Sequence, residues 1–489
     1  MMWFDPRRLF SNQFVPGGFR ASVFTLLSGS TFALALGYLA RPFLTRLYTP
    51  ADFGLADVFI ALVGILMPVA SLRYEDALML PEDDRDAASI LGLAALLTSA
   101  FAALMLLLIV PGVALASRMG APDLAAWLWL IPPTLLILRA SKLAEMWLTR
   151  QKRFKPVSAG QVVQSSTMVA VRVGAALPPW HAGPGGLIGG FVAGHAVAAL
   201  LLLTAALRHG AHALGAAFRT EALRATASRY RRFAVFSMPS TLLGALMSRL
   251  PFLLLLFFFD RTIVGHFGLA FNAVLVPLSL LGGAVAQVFF VHAAEAVRED
   301  TLAPLTTTVH RRLVMAGLYP TLALLLAGPD VFAVVFSETW RTAGTYVQYL
   351  APWLFFTALS VPLTRLFDVL ERQRLDLMTS LILFTVLLSA LLVGGFAGDP
   401  ERCLLLLGLA GGATRCGQML LLLRLGGVSW GSLVRPFARY TAFSLPGLLL
   451  TVAALSLHHP VLTTLAAALG GVLYVTLLLL RDGFLPPRR

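Results

Sequence analysis

The chain has 489 residues and a formal net charge of +14, yet it is 58% apolar and only 13% charged. A soluble protein of this length carries charge on roughly a quarter of its residues, so most of this surface is built to face something other than water. The basic residues punctuate apolar runs and form no single soluble patch, which argues against nucleic acid as a partner and for a membrane protein.

In chain order, the opening stretch Met1–Arg20 is basic, but no short apolar segment with a small-residue cleavage site follows it. The first apolar run therefore reads as a retained helix. Apolar runs of about twenty residues predict membrane helices at 22–45, 53–72, 87–112, 123–145, 157–178, 185–207, 233–258, 262–290, 313–336, 345–370, 376–398, 402–425, 438–457 and 461–480. Polar residues interrupt the first and the eighth. The expectation is an all-α polytopic membrane protein of about fourteen transmembrane helices, with about twelve or thirteen also open.

Arg150, Lys152, Arg153 and Lys155 lie on the same side of this arrangement as Arg208, Arg219, Arg224, Arg229, Arg231 and Arg232. The excess of Lys and Arg in these short loops puts them, and both termini, in the cytoplasm. The opposite side carries Arg46, Arg118, Arg261, Arg341 and Arg402. One cytoplasmic loop, Pro81–Asp86, is acidic, but carboxylates weigh little in this rule.

The longest cytoplasmic connection divides the chain after six helices. The predicted organisation is an N-terminal lobe over 1–207, a linker over 208–232, a C-terminal lobe over 233–425, and a helix pair with a tail over 426–489. A weak repeat coincides with the division. Arg41-Pro42-Phe43 is followed by Phe53-Gly54-Leu55-Ala56, and Arg249-Leu250-Pro251-Phe252 by Phe267-Gly268-Leu269-Ala270. Paired lobes around a midplane site are a transporter architecture.

No nucleophile–base pair, phosphate-binding loop, metal cluster or dinucleotide turn is present. Cys403 and Cys416 fall in one predicted helix roughly 20 Å apart, too far to pair. Neither an enzyme nor a cofactor or metal is expected. What stands out is charge inside the predicted spans: Arg41, Arg139, Lys142, Arg172, Arg249, Arg365 and Arg415. An arginine at a helix centre costs about 2.5–3.5 kcal/mol on insertion scales, normally offset by snorkelling, pairing or a wet cavity.

Lys142 can pair with Glu145 and Arg365 with Asp368, each three residues on, and both lie near the cytoplasmic end of a helix. Arg139 fits either reading. Arg41, Arg172, Arg249 and Arg415 lie deeper and are the strongest candidates for a cavity. Arg172 ends a stripe of Gln161, Gln164 and Ser165 on one helical face, which predicts a face turned into the protein. Asp57 is a candidate partner for Arg41 and a candidate for ion coupling. Fixed positive charge in a wet cavity implies an anionic passenger, because guanidinium matches phosphate and carboxylate bidentately. Pro42, Pro251, Pro277, Pro352 and Pro362 permit bending, as hinges or as tolerated kinks.

Arg46–Gly54 (RLYTPADFG) followed by Ser71–Pro81 (SLRYEDALMLP) resembles the N-terminal signature of Wzx-type polysaccharide flippases, of the multidrug/oligosaccharidyl-lipid/polysaccharide exporter superfamily. Pro277–Phe290, Phe336–Phe356 and Ser360–Arg374 continue the resemblance in order. It implies two pseudo-symmetric six-helix lobes in a V around a central cavity, plus a C-terminal helix pair. It also implies a bacterial inner-membrane carrier that moves a polyprenyl-pyrophosphate-linked oligosaccharide from the cytoplasmic to the periplasmic leaflet by alternating access, for O-antigen or exopolysaccharide synthesis. Membrane lipid, a polysaccharide polymerase and chain-length machinery are the implied partners. A lipid II flippase and a multidrug or metabolite antiporter of the same superfamily are the alternatives. A polymerase or ligase fits less well, since no outer loop is large. Arg46, Arg73, Glu75 and Arg341 sit at membrane boundaries, where loop packing is a sufficient role; for Arg73 to Glu75 a cytoplasmic gate is the alternative.

Overall fold

The computed structural model describes residues 19–118, 122–214 and 218–481. The basic opening stretch and the last eight residues, on which the placement of the termini rests, lie outside the described residues. Every predicted apolar run coincides with helix, and no strand occurs among the described residues. The fold is all-α.

The chain forms two compact units, one comprising residues up to Leu47 with Phe59–Leu246, the other Tyr48–Val58 with Met247–Arg489. The first unit opens with α1 (Phe19–Leu39) and α2 (Arg41–Leu47). The expected single helix over 22–45 is interrupted at Ala40, and Pro42 accounts for the restart: its ring fits only the first turn of a helix. Next come α3 (Pro50–Ser71), a short 3₁₀ turn (Tyr74–Met79), α4 (Asp84–Arg118), α5 (Pro122–Leu128) and α6 (Ile131–Arg150). The run predicted over 123–145 likewise breaks, with a 50° bend between α5 and α6 where Pro132 and Pro133 open the second segment. Then α7 (Phe154–Ala176) and α8 (Pro184–Leu214) pack on each other, and α1 packs on α7. The 208–232 connection contains α9 (Thr220–Arg229), which lies against α4. The core here gathers Leu78, Ile90, Trp147, Leu148 and Leu202.

The first unit ends with a π turn at Phe233–Ser237 and the opening turns of α10 (Met238–Phe258), whose residues from Met247 onward belong to the second unit. There follow α11 (Arg261–Arg298), α12 (Leu302–Phe336), α13 (Arg341–Leu363), α14 (Arg365–Val369), α15 (Gln373–Phe396), α16 (Pro400–Leu425), α17 (Trp430–Leu455) and α18 (Pro460–Arg481). The carboxylate of Asp260 caps α11 by accepting from the Thr262 and Ile263 amides at 2.6 and 3.0 Å. Pro251, Pro277, Pro352 and Pro362 all lie inside continuous helices. Phe289, Leu359, Leu366, Phe367, Leu422 and Tyr440 fill the core.

Where apolar burial drives little association, as in lipid, helices must approach closely through small residues. Gly447 of α17 and Gly470 of α18 do this: a Cβ added to either would come within 2.8 Å of the other's backbone. The two Phe-Gly-Leu-Ala copies meet in the same manner. Gly54 lies on the backbone of Arg261 and Gly265, while the space a Gly268 side chain would fill holds the Asp57 carboxylate. Phe53 packs edge-on against Trp340 at 5.2 Å beside this crossing.

Among the described residues, ten helices are long and apolar enough to cross a membrane, or eleven if the bent pair α5–α6 is one span. The chain is therefore a multi-pass membrane protein. The expected count of about fourteen is not reached by this measure. The predicted runs that fall short lie on α1, α7 and α11. α7 carries Lys155, Gln161, Gln164 and Arg172, and α11 carries His266, Asn272 and Glu295, so their polarity is offset by packing more than by lipid.

Candidate functional site

Each candidate arginine is defined by what already occupies its donors. In the first unit, the Arg139 guanidinium is 3% exposed and donates to Glu75 at 2.5 Å and to the Met67 carbonyl at 2.6 Å. Glu75 is 1% exposed and also accepts from the Ser71 hydroxyl at 2.7 Å. This is a closed ion pair at the end of α3, with its charge neutralised inside the protein.

The neighbouring loop is held from several sides. Arg73, in a left-handed conformation at φ 61°, pairs with Asp76 at 2.8 Å, and Ser237 donates to Asp76 at 3.2 Å. Arg150 pairs with Asp84 at 2.9 Å and donates to the Leu78 carbonyl at 3.0 Å. The Tyr74 hydroxyl donates to the Ala227 carbonyl of α9 at 3.1 Å, and burial pushes that phenol above its usual range. Arg73, Glu75 and Asp76 are thus each paired, while Arg73 Nε is buried without a hydrogen-bond partner among the described residues.

The polar stripe of α7 faces its helical neighbours. Gln161 accepts from Ser30 at 2.6 Å, and Ser165 donates to the Ala33 carbonyl at 2.9 Å. Gln164 lies 3.1 Å from His195, and Arg172 donates through Nε to the Leu187 carbonyl at 3.2 Å with its stem laid on Gly190. The stripe faces inward as its spacing predicts, but it is shared between α1 and α8. Arg41 differs: its guanidinium sits 5.7 Å from the Tyr38 ring centroid. That is a cation–π contact which leaves its donors free for an anion.

In the second unit the arginine pairs are closer in sequence. Arg341 is clamped by Asp330 at 2.5 Å and by Glu338 at 2.5 Å. Arg365 pairs with Asp368 at 3.2 Å, with about half of each side chain exposed (51% and 46%). In the first unit Lys142 likewise meets Glu145 at 3.4 Å. Arg415 donates to Gln418 at 2.6 Å, and Gln418 in turn donates to Thr379 at 3.0 Å. Asp57 lies against Gly268 in the second unit.

Arg249 stands apart from these. It is half-buried in α10, roughly 13 Å along the axis from Phe258. Among the described residues no carboxylate or hydrogen-bond acceptor engages it. A guanidinium in an apolar span whose donors are not taken by the protein is able to bind an anion. No group of three or more His, Cys, Asp or Glu that could hold a metal occurs among the described residues.

A family model described as "Polysaccharide biosynthesis protein" matches residues 43–344. The class that the fold defines is an all-α multi-pass membrane protein with no strand among the described residues, and the chain belongs to this polysaccharide biosynthesis family. Among solved structures it resembles the lipid II flippase MurJ in an inward closed conformation, with TM-score 0.69 and 12% identity over 95% of this chain and 100% of that one. A multidrug resistance MATE family transporter of the MOP superfamily, inward-facing, matches with TM-score 0.63 and 14% identity over 83% of this chain and 98% of that one. A MOP superfamily transporter from Pyrococcus furiosus, described as having a binding pocket of reversed polarity, matches with TM-score 0.53 and 13% identity over 83% and 95%. The chain matches no curated protein by sequence.

The Glu75–Arg139 pair and the Thr379–Gln418–Arg415 chain were not legible as partners in the sequence. Their only signals are polar residues within apolar runs, which mark an inward face without naming what it meets.

Proposed function

We propose that the chain is a flippase that carries a polyprenyl-pyrophosphate-linked oligosaccharide from the cytoplasmic to the periplasmic leaflet of the bacterial inner membrane, with both termini in the cytoplasm. The observation that carries this reading is Arg249, a half-buried arginine in an apolar helix that no protein anion engages among the described residues. Arg41 supports it from the first unit, its guanidinium engaged with an aromatic face only. A pyrophosphate offers acceptor oxygens that match guanidinium bidentately, and the lipid tail can stay in the bilayer throughout. Membership in a polysaccharide biosynthesis family supports an oligosaccharide as the cargo. O-antigen or exopolysaccharide units are the class in view, with a polymerase and chain-length machinery downstream.

Among the remaining candidates, Arg172 donates to the Leu187 carbonyl and Arg415 to Gln418, while Arg365 is paired with Asp368 and Arg139 is enclosed by Glu75. Lipid II is the second reading, favoured by the MurJ likeness over 95% of this chain. The test is complementation in a strain lacking its own polysaccharide flippase. Arg249→Ala should reach the membrane at normal level and fail to restore surface polysaccharide, with Arg249→Lys restoring part. Full restoration by Arg249→Ala would overturn the role of this residue. Rescue of a strain lacking its lipid II flippase, and not of the polysaccharide strain, would favour the second reading.

A further inference from the structure

The second unit holds a polar cluster that the pyrophosphate does not account for. Asp376 and Thr379 of α15 and Arg415 and Gln418 of α16 are joined there by hydrogen bonds, and the charges of Arg365 and Asp368 of α14 lie near enough to act on Asp376. The pair Arg365–Asp368 is half-exposed, Asp376 and Thr379 are partly buried, and Gln418 is 7% exposed, so polarity runs from the surface inward. Thr379 links the two faces: it accepts from Gln418 at 3.0 Å and donates to the Asp376 carbonyl one turn back at 3.1 Å. Gln418 then accepts from Arg415 at 2.6 Å.

Two groups are left with capacity. Arg415 Nε is buried and has no partner. Among the described residues the Asp376 carboxylate makes no hydrogen bond or ion pair, although the fields of Asp368, Arg415 and Arg365 reach it. A buried polar group left unsatisfied is costly, and a ligand that satisfies it recovers that cost.

Charge decides what kind of ligand fits. Two guanidiniums balance two carboxylates, so the cluster attracts neither a bare anion nor a bare cation. A cation would also need a carboxylate-rich cage, and no His, Cys, Asp or Glu cluster that could hold a metal occurs among the described residues. A neutral ligand with vicinal hydroxyls does fit. One hydroxyl donates to the Asp376 carboxylate while its neighbour accepts from an arginine, and the Gln418–Thr379 pair extends the same alternation of donor and acceptor.

We propose that this cluster is the glycan subsite: it recognises the uncharged, hydroxyl-bearing sugars of the cargo, separately from the arginines that take its phosphates. The inference rests on the flippase reading above. Purified full-length protein in lipid nanodiscs is titrated with undecaprenyl pyrophosphate alone and with the same lipid carrying a neutral trisaccharide. Wild type should bind the glycosylated lipid more tightly than the bare one. Gln418→Leu and Thr379→Val should each weaken the glycosylated lipid about tenfold, the scale of one or two lost hydrogen bonds, and change the bare lipid less than about twofold. Thr379→Ser should restore wild-type binding. Unchanged binding of the bare lipid also reports that the variants are folded.

Equal weakening of both lipids, or no preference of wild type for the glycosylated one, overturns the glycan subsite while leaving the flippase reading intact. So does a variant that loses only a response to sodium or proton concentration, which would make the cluster a cation site. If wild type binds neither lipid, the flippase reading falls and the subsite with it.

Discussion

Arg139→Leu should destabilise the protein by about 3–5 kcal/mol, the range found when one partner of a buried ion pair is removed and the other is left without compensation. Glu75→Leu should behave alike. The reason is the enclosure of the pair: Arg139 and Glu75 are 3% and 1% exposed, and water cannot solvate the charge that remains. Removing both together, as Arg139→Leu with Glu75→Leu, should cost less than the two single losses added, because no lone charge is buried. Thermal unfolding of the detergent-solubilised single and double variants measures this. Additive losses would mean the two residues contribute separately, and the description of them as one closed pair would fail.

Gly54→Leu should cost about 3 kcal/mol or more, at or beyond the upper end of what overpacking a core does. The Cβ alone would overlap the Arg261 carbonyl, which is backbone and cannot rotate away, and Gly265 closes the other side. α3 and α11 would have to separate, breaking the Phe53–Trp340 contact beside them. By contrast Gly37→Leu should be tolerated, because a Cβ there meets nothing. Folded yield and unfolding temperature of the two variants in detergent check the comparison. Equal tolerance of both would show that the α3–α11 crossing does not depend on close approach.

These two expectations mark the line between what the sequence allows one to read and what it does not. Apolar run length placed α3 at 53–72 against Pro50–Ser71, and α16 at 402–425 against Pro400–Leu425, because a helix that meets lipid must stay apolar for its whole crossing. The twin Phe-Gly-Leu-Ala segments were visible as a repeat, but not as one crossing, since a repeat says nothing about which helix lies opposite. Pro42 is read from the sequence as permitting a bend, but neither the break at Ala40 nor the bend between α5 and α6 at Pro132 and Pro133 is foreseen. A proline can sit in a continuous membrane helix, as Pro251 and Pro352 do, and only tertiary packing decides.

The candidate site was legible in the same partial way. Insertion cost singles out an intramembrane arginine, but it does not distinguish Arg139, whose charge is met by Glu75 sixty-four residues earlier, from Arg249, which meets none. Only the local pairs, Lys142–Glu145 and Arg365–Asp368, follow from helical spacing alone. Asp376 and Thr379 gave no sequence signal at all, because each is an ordinary residue for the first turns of a helix.

The central claim is that this protein moves a pyrophosphate-linked glycan across a bilayer with Arg249 as an anion ligand. The most direct measurement is the rate at which a fluorescent polyprenyl-pyrophosphate oligosaccharide, loaded in the inner leaflet of proteoliposomes, becomes accessible to an external quencher. Wild type should accelerate this over protein-free liposomes, and Arg249→Ala at equal reconstitution should slow it about tenfold or more, the worth of a hydrogen-bonded charge. A wild-type rate no faster than protein-free liposomes, or an Arg249→Ala rate equal to wild type, would contradict the account.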